Sequence, residues 1–201
     1  FQGAAVAGVL LVVGMHLMMG SPVDAWLQVL VSYFGPMLHD AGVVDVEPKL
    51  RALAGMMTGV AAAALMVSYV LSLLLARWWQ AMLYNPGGFQ QEFHQLRLGQ
   101  GVAVAALGVF LASWLLQGEA GVIARDLGTV ALVIYLFQGL AIVHGVVKLL
   151  NGHIAWLSGL YLITVIALPQ LAMVLAVLGI GDTWTDIRAR LAQRGAANTK
   201  E

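Results

Sequence analysis

Few side chains in this sequence could hold a ligand or move a proton. They are His16, His39, His94, His144 and His153 and, inside uncharged stretches, Tyr135, Gln138, Pro169 and Gln170. His144 and His153 stand nine residues apart, about 900° around a helix, and so face opposite sides. His16 and His144 lie near the ends of apolar stretches and are the pair that would suit haem or metal ligation. The commoner role for such histidines is a bond to backbone or water at an interface. No phosphate-cradling glycine motif, Ser-His-Asp set or His-Glu-x-x-His helix occurs. The chain has no cysteine, which removes disulfides, thiol nucleophiles and thiolate metal sites. The expectation is no catalytic residue, no metal and no cofactor.

A polar group deep in an apolar helix costs free energy unless it is paired. Gln138 sits midway along one such stretch, with Tyr135 a turn before it on the same face. Pro169 sits midway along another, where it removes a backbone bond and frees a carbonyl beside Gln170. Transporters build binding sites from broken helices of this kind. Tyr135, Gln138, Pro169 and Gln170 are therefore the candidate lining of a small-molecule pocket. The competing reading is a packing kink with one Gln–Gln bond between helices.

The elements that must position these groups follow from composition. The 201 residues are 61% hydrophobic and 10% charged, with ten basic and ten acidic side chains. Mean hydropathy is +0.87. Soluble chains run about 45–50% apolar and about 25% charged, so the expected solvent is lipid. Zero net charge gives no electrostatic case for nucleic acid. Uncharged intervals cover 1–23, 52–76, 98–118, 127–147 and 149–181. Each reaches the roughly 20 residues that carry a helix across a core of about 30 Å. Backbone satisfaction in lipid demands helices here, since the alternation of an outer-membrane barrel is missing.

The sequence thus predicts an all-α integral membrane protein with five transmembrane helices near 3–20, 50–77, 100–117, 127–149 and 154–180. They form one polytopic domain over 1–180, followed by a polar tail over 181–201. After the first span, Trp26, Leu27, Leu30, Tyr33, Phe34, Met37 and Leu38 recur at helical spacing. This predicts an interfacial amphipathic helix of about 15 residues, ended or kinked at Gly35-Pro36. Trp26, Trp78, Trp79, Trp114, Trp156 and Trp184 suit headgroup-level anchors. Alternating spans place Lys49, Arg51, Arg125, Arg188, Arg190, Arg194 and Lys200 on one side, and Arg77, Arg97 and Lys148 on the other. The excess predicts a cytoplasmic C-terminus. Small residues at Gly55, Gly59 and Ala63, and at Gly101, Ala105, Gly108 and Ala112, form stripes that admit a neighbouring helix.

The connection from Arg77 to Leu98 carries the densest pattern, Arg-Trp-Trp-Gln, then Leu-Tyr-Asn-Pro-Gly-Gly-Phe, then Glu-Phe and Leu-Arg-Leu. Asn85-Pro86-Gly87-Gly88 is a strong turn, with Pro fixing φ and Gly supplying positive φ. Phe89, Phe93 and Leu96 then make the apolar face of a short helix, leaving Glu92, His94 and Arg97 toward water or a partner. Tyr84 with these turn and helix residues is the candidate partner-binding loop. Over 77–98 the chain resembles the YybS-like family of uncharacterised bacterial integral membrane proteins. The resemblance implies a bacterial inner-membrane protein with about eight helices, and hence helices upstream of Phe1. It also implies a distant likeness to the substrate-binding S-components of vitamin transporters. At Gln90 and Gln91 the sequence departs from the basic residues typical of that family, which removes positive charge and weakens any phosphate or anionic-lipid role for this loop.

Together these features predict a non-enzymatic accessory or scaffold subunit, in contact with the bilayer and with a membrane-protein partner or another copy. The alternative is an S-component-like small-molecule binder.

Overall fold

A computed structural model describes residues 2–198. Lys200 lies outside the described residues, and so does the side chain of Arg194. Nine helices account for the described fold: α1 (Gln2–Met19), α2 (Pro22–Asp40), α3 (Val46–Tyr84), α4 (Gly88–His94), α5 (Gln100–Leu115), α6 (Gly118–Leu149), α7 (Ala155–Ile166), α8 (Leu168–Thr185) and α9 (Ile187–Asn198). The all-helical expectation holds. Among the described residues four helices, α1, α3, α6 and α8, are long and apolar enough to cross a membrane, while α5 and α7 are shorter apolar helices.

Four boundaries differ from the sequence reading, each for a local reason. The helix expected over 50–77 runs on to Tyr84, because the first residues able to stop it are Asn85-Pro86-Gly87, with Gly87 at φ +86°. The helix expected from 127 starts at Gly118, with Glu119 in the first turn, where the helix dipole favours an acid. Arg125 and Asp126 therefore lie inside α6 rather than in a loop. The stretch expected as one span over 154–180 is broken at Ala167 (φ −135°, ψ 47°) into α7 and α8. Pro169 stands in the first turn of α8, where its missing N–H costs no bond. Helix α2 exceeds its expected length and passes through Pro36 to Asp40. The carbonyl that Pro36 leaves unbonded belongs to exposed Ser32, where solvent can satisfy it.

The chain divides into two compact units, and α3, α5 and α6 contribute residues to both. The first unit takes in 2–68 and 106–131. Ala4, Gly8, Val12 and His16 form the buried stripe of α1. Leu27 of α2 packs with Leu50 and Ala54 of α3, and Trp26 Nε1 donates to Thr58 Oγ1 at 3.1 Å. The inward stripe of α3 here is Ala54, Thr58 and Ala62. Of the stripe expected at Gly55, Gly59 and Ala63, only Gly59 is fully buried. A Cβ there would meet Asp126 Oδ1 at 2.9 Å and Thr129 Oγ1 at 3.1 Å, whereas one on Gly55 would meet nothing within 4 Å.

The second unit takes in 69–105 and the chain from Leu132 onward. Its close helix contact is between α6 and α8. A Cβ on Gly139 would lie 2.1 Å from the Leu175 carbonyl oxygen, and one on Gly179 would lie 2.6 Å from that of Tyr135. Backbones this near require glycine at both positions. The stripe expected on α5 faces outward at Gly101, Ala105 and Gly108, while Ala103 and Ala106 are buried.

Candidate functional site

In the second unit the segment 84–98 is fixed from several directions. Asn85, Pro86 and Gly87 are exposed, and Tyr84 is 83% exposed. Gly88 is buried and its N–H donates to Asn85 O at 2.9 Å, closing the turn. Phe89 and Phe93 stack with ring centroids 6.0 Å apart, and Phe93 meets the edge of His144 at 5.7 Å. Arg77 of α3 grips Glu92 of α4 with two parallel bonds, Nε to Oε2 at 2.6 Å and Nη2 to Oε1. This bidentate geometry holds the Glu92 carboxyl below its ordinary value.

Past α4 the chain is held by α6, α8 and α9. Gln138, wholly buried, accepts from Leu98 N at 2.8 Å through Oε1 and donates to Gly179 O at 2.6 Å through Nε2. Arg97 donates to Asp186 Oδ2 at 2.7 Å and to the carbonyls of Asp182 and Thr183. Asp186, in the left-handed conformation that ends α8, has its carboxyl lowered chiefly by that Arg97 bond. Arg188 donates to the carbonyls of His94 and Leu96 and, at 2.7 Å, to the buried carboxylate of Asp182. The other oxygen of Asp182 accepts from Ile187 N at 2.8 Å. A buried charge is tolerated when it is paired and bonded in this way.

Glu92 and Arg97, expected to face water or a partner, thus each have a partner within the chain. His94 is half-buried. Burial pushes its imidazole below the ordinary histidine value, and the basic groups His144, Lys148 and Arg188 act in the same sense. His144 has both nitrogens engaged: Nδ1 faces Leu140 O at 2.8 Å and Nε2 faces Tyr161 Oη at 3.1 Å. A carbonyl only accepts, so the proton sits on Nδ1. Of the candidate pocket, Tyr135 and Gln138 are buried together, while Pro169 and Gln170 are exposed. The four do not line one cavity. The Tyr135 hydroxyl is buried without a hydrogen-bond partner among the described residues.

In the first unit His16 Nε2 lies 2.9 Å from Asp126 Oδ2, with both side chains buried. His16 Nδ1 has no hydrogen-bond partner among the described residues. A cavity of about 290 Å³ is lined by His16, Ser21, Asp24, Arg51 and Glu119, among others. The Ser21 hydroxyl, then Arg51, hold the Asp24 carboxyl below its ordinary value. Among the described residues no cluster of three or more His, Asp or Glu is placed to hold a metal ion.

The sequence reading missed Asp126, Asp182 and Arg188 as members of these networks. Their signal was present: Asp182 closes the longest uncharged interval and Arg188 follows six residues later. Comparison with family models, with curated proteins and with solved structures found no match.

Proposed function

We propose that the chain is a polytopic subunit of the bacterial inner membrane that works by holding a partner protein or another copy, rather than by catalysis. The resemblance over 77–98 to YybS-like membrane proteins is part of this reading. The observation that carries it is Gln138. The polar group expected to greet a ligand is instead bonded at both ends to the main chain of Leu98 and Gly179. A small-molecule pocket around it loses its polar centre. Support from the outside comes from Trp78, Trp79, Met82, Leu83 and Tyr84, all exposed on the last turns of α3, beside the turn at 85–88. An apolar surface with aromatic residues suits headgroups or a neighbouring membrane protein.

Strict alternation of five crossings would put the connection 85–99 and the tail on opposite faces. The bonds from Arg188 to His94 O and from Arg97 to Asp186 favour one shared face. Between them α5 and α6 leave and return, so α7 and α8 must also leave and return. At 12 residues, α7 is about 18 Å long, too short to cross a core of about 30 Å. Regrouped, seven Lys and Arg (Arg77, Arg97, Lys148 and the four of the tail) oppose Lys49, Arg51 and Arg125. The C-terminus remains cytoplasmic, and the 85–99 connection joins it.

Two measurements test this. Purification in mild detergent followed by native mass spectrometry should show a co-purifying protein or a second copy. A tightly held metabolite with no protein companion would favour the binder. Single cysteines at Gln90 and Asn198, in this cysteine-free chain, should both resist an impermeant thiol reagent in intact cells. Labelling of one and not the other would restore the five-crossing topology.

A further inference from the structure

At the C-terminal end of α6, two features of the second unit adjoin. A cavity of about 320 Å³ has Gln90, His94, His144, Lys148 and Asn151 in its otherwise apolar lining. Among the described residues no carboxylate lines it. Lys148 is exposed and, among the described residues, has no ion-pair or hydrogen-bond partner, and the His94 ring nitrogens have no hydrogen-bond partner among them either. Four side chains able to donate therefore line one cavity in which no described residue accepts from them. Val147 and Gly152 are shared with a second and larger space, a groove of about 740 Å³ between α6 and α7. Its walls are apolar, including Val143, Val146, Leu150, Trp156 and Ile163. A donor-rich cavity opening into an apolar channel is the shape of an amphiphile with an anionic head.

We propose that this cavity and groove bind one anionic phospholipid, with its phosphate among Lys148, His94, Gln90 and Asn151 and an acyl chain along the groove between α6 and α7. A free phosphate would satisfy the donors but leave the groove empty. A zwitterionic lipid would fill the groove and bring a phosphate too, but its quaternary ammonium would meet the Lys148 charge with no carboxylate of the cavity lining to receive it. Basic pockets beside membrane helices on the cytoplasmic side take acidic headgroups in this way. That is the face argued above for the 85–99 connection, and the inference rests on that reading. The sequence hid the site because positive charge is missing at Gln90 and Gln91 and comes instead from Lys148, on another helix.

The test is native mass spectrometry of the purified protein with phosphatidylglycerol or phosphatidylcholine of equal chain length, each with and without inorganic phosphate. Wild type should retain phosphatidylglycerol about fivefold better, the size expected of one lysine at a membrane surface. Lys148→Gln should bring the two lipids to near parity, and Lys148→Arg should keep the preference. Gly159 lines the groove and a Cβ on it meets nothing within 4 Å. Gly159→Phe should therefore fold, fill the groove and lose both lipids. Equal retention of the two lipids by wild type, an unchanged preference in Lys148→Gln, or full displacement of phosphatidylglycerol by millimolar phosphate would each overturn the proposal. Carbonate extraction of membranes separates the two ideas. Release of the protein would defeat the membrane reading itself, whereas a retained protein without lipid preference would defeat only this site.

Discussion

His16 and Asp126 meet at 2.9 Å, both buried, although 110 residues separate them in the chain. The bond joins α1 to α6 in the first unit, and Gly59 of α3 leaves the room beside it. The carboxylate can only accept when ionised, so the His16 proton belongs on Nε2.

The two halves of this pair should differ in cost. His16→Ala leaves a buried carboxylate with its main donor removed, and Asp126→Ala leaves a neutral imidazole short of an acceptor. Burying an orphan charge costs more than burying an orphan neutral group. His16→Ala is expected to destabilise by about 3 kcal/mol and Asp126→Ala by about 1–2 kcal/mol. The double variant should cost less than the sum. Thermal melting in detergent measures all three, and the reverse order would mean that the pair is held neutral.

Gly139→Ala should be among the most damaging single changes in the chain, because the new Cβ would sit 2.1 Å from the Leu175 carbonyl oxygen. Backbone cannot step aside as a side chain can, so a loss above about 3 kcal/mol or failure to fold is expected. Gly55→Ala meets nothing within 4 Å and should be neutral or gain up to about 1 kcal/mol from helix propensity. Equal melting of the two variants would show that α6 and α8 do not touch here.

How much of this was legible beforehand varied with the kind of signal. The all-helical class and the turn at Asn85-Pro86-Gly87-Gly88 follow from local rules, and the sequence predicted them, whereas the break at Ala167 and the early start of α6 at Gly118 it did not. Gln138 was legible as a polar group in need of a partner. Its partners were not, because Leu98 N and Gly179 O are main-chain atoms that carry no sequence signature. Asp126 falls at the end of a loop in the sequence reading, since a lone charge inside a span is costly, and its bond to His16 helps to make it tolerable. The small-residue stripe on α3 was one residue out of register, Gly55-Gly59-Ala63 for Ala54-Thr58-Ala62. Both rows are small, so which one faces inward is decided by the neighbouring helix.

Acid should loosen the second unit at a defined place. Asp186 is held below its ordinary value of 3.8 by Arg97, and Glu92 below 4.5 by Arg77. A carboxyl with a depressed folded value contributes stability above its unfolded value and loses it as pH falls through the folded one. Hydrogen exchange over 88–98 and 186–193 is therefore expected to quicken as pH drops from about 5 to about 3, after correction for intrinsic rates. Both pairs are well exposed, so the effect should be modest and weaken in salt. Arg97→Ala should abolish the part carried by 186–193. Exchange that quickens equally in the variant would place the acid-sensitive bond elsewhere.

The sharpest test of the buried amide is to change its hydrogen-bonding sense without changing its shape. Gln138 accepts from Leu98 N and donates to Gly179 O. Gln138→Leu leaves both main-chain groups unsatisfied in the interior, and a loss of about 2–4 kcal/mol is expected. Gln138→Glu keeps the acceptor toward Leu98 but, when ionised, sets a carboxylate against the Gly179 carbonyl oxygen at a position where the native distance is 2.6 Å. Burial and that repulsion both favour the protonated acid, which carries one O–H donor and one acceptor and so repeats the native pattern. The glutamate variant should thus melt well below wild type at pH 8 and recover most of the difference at pH 5, while the leucine variant stays low at both. Melting curves in detergent at the two pH values decide it. A glutamate variant as stable as wild type at pH 8 would mean that water or a ligand reaches this amide, and the pocket reading would return with Gln138 at its centre.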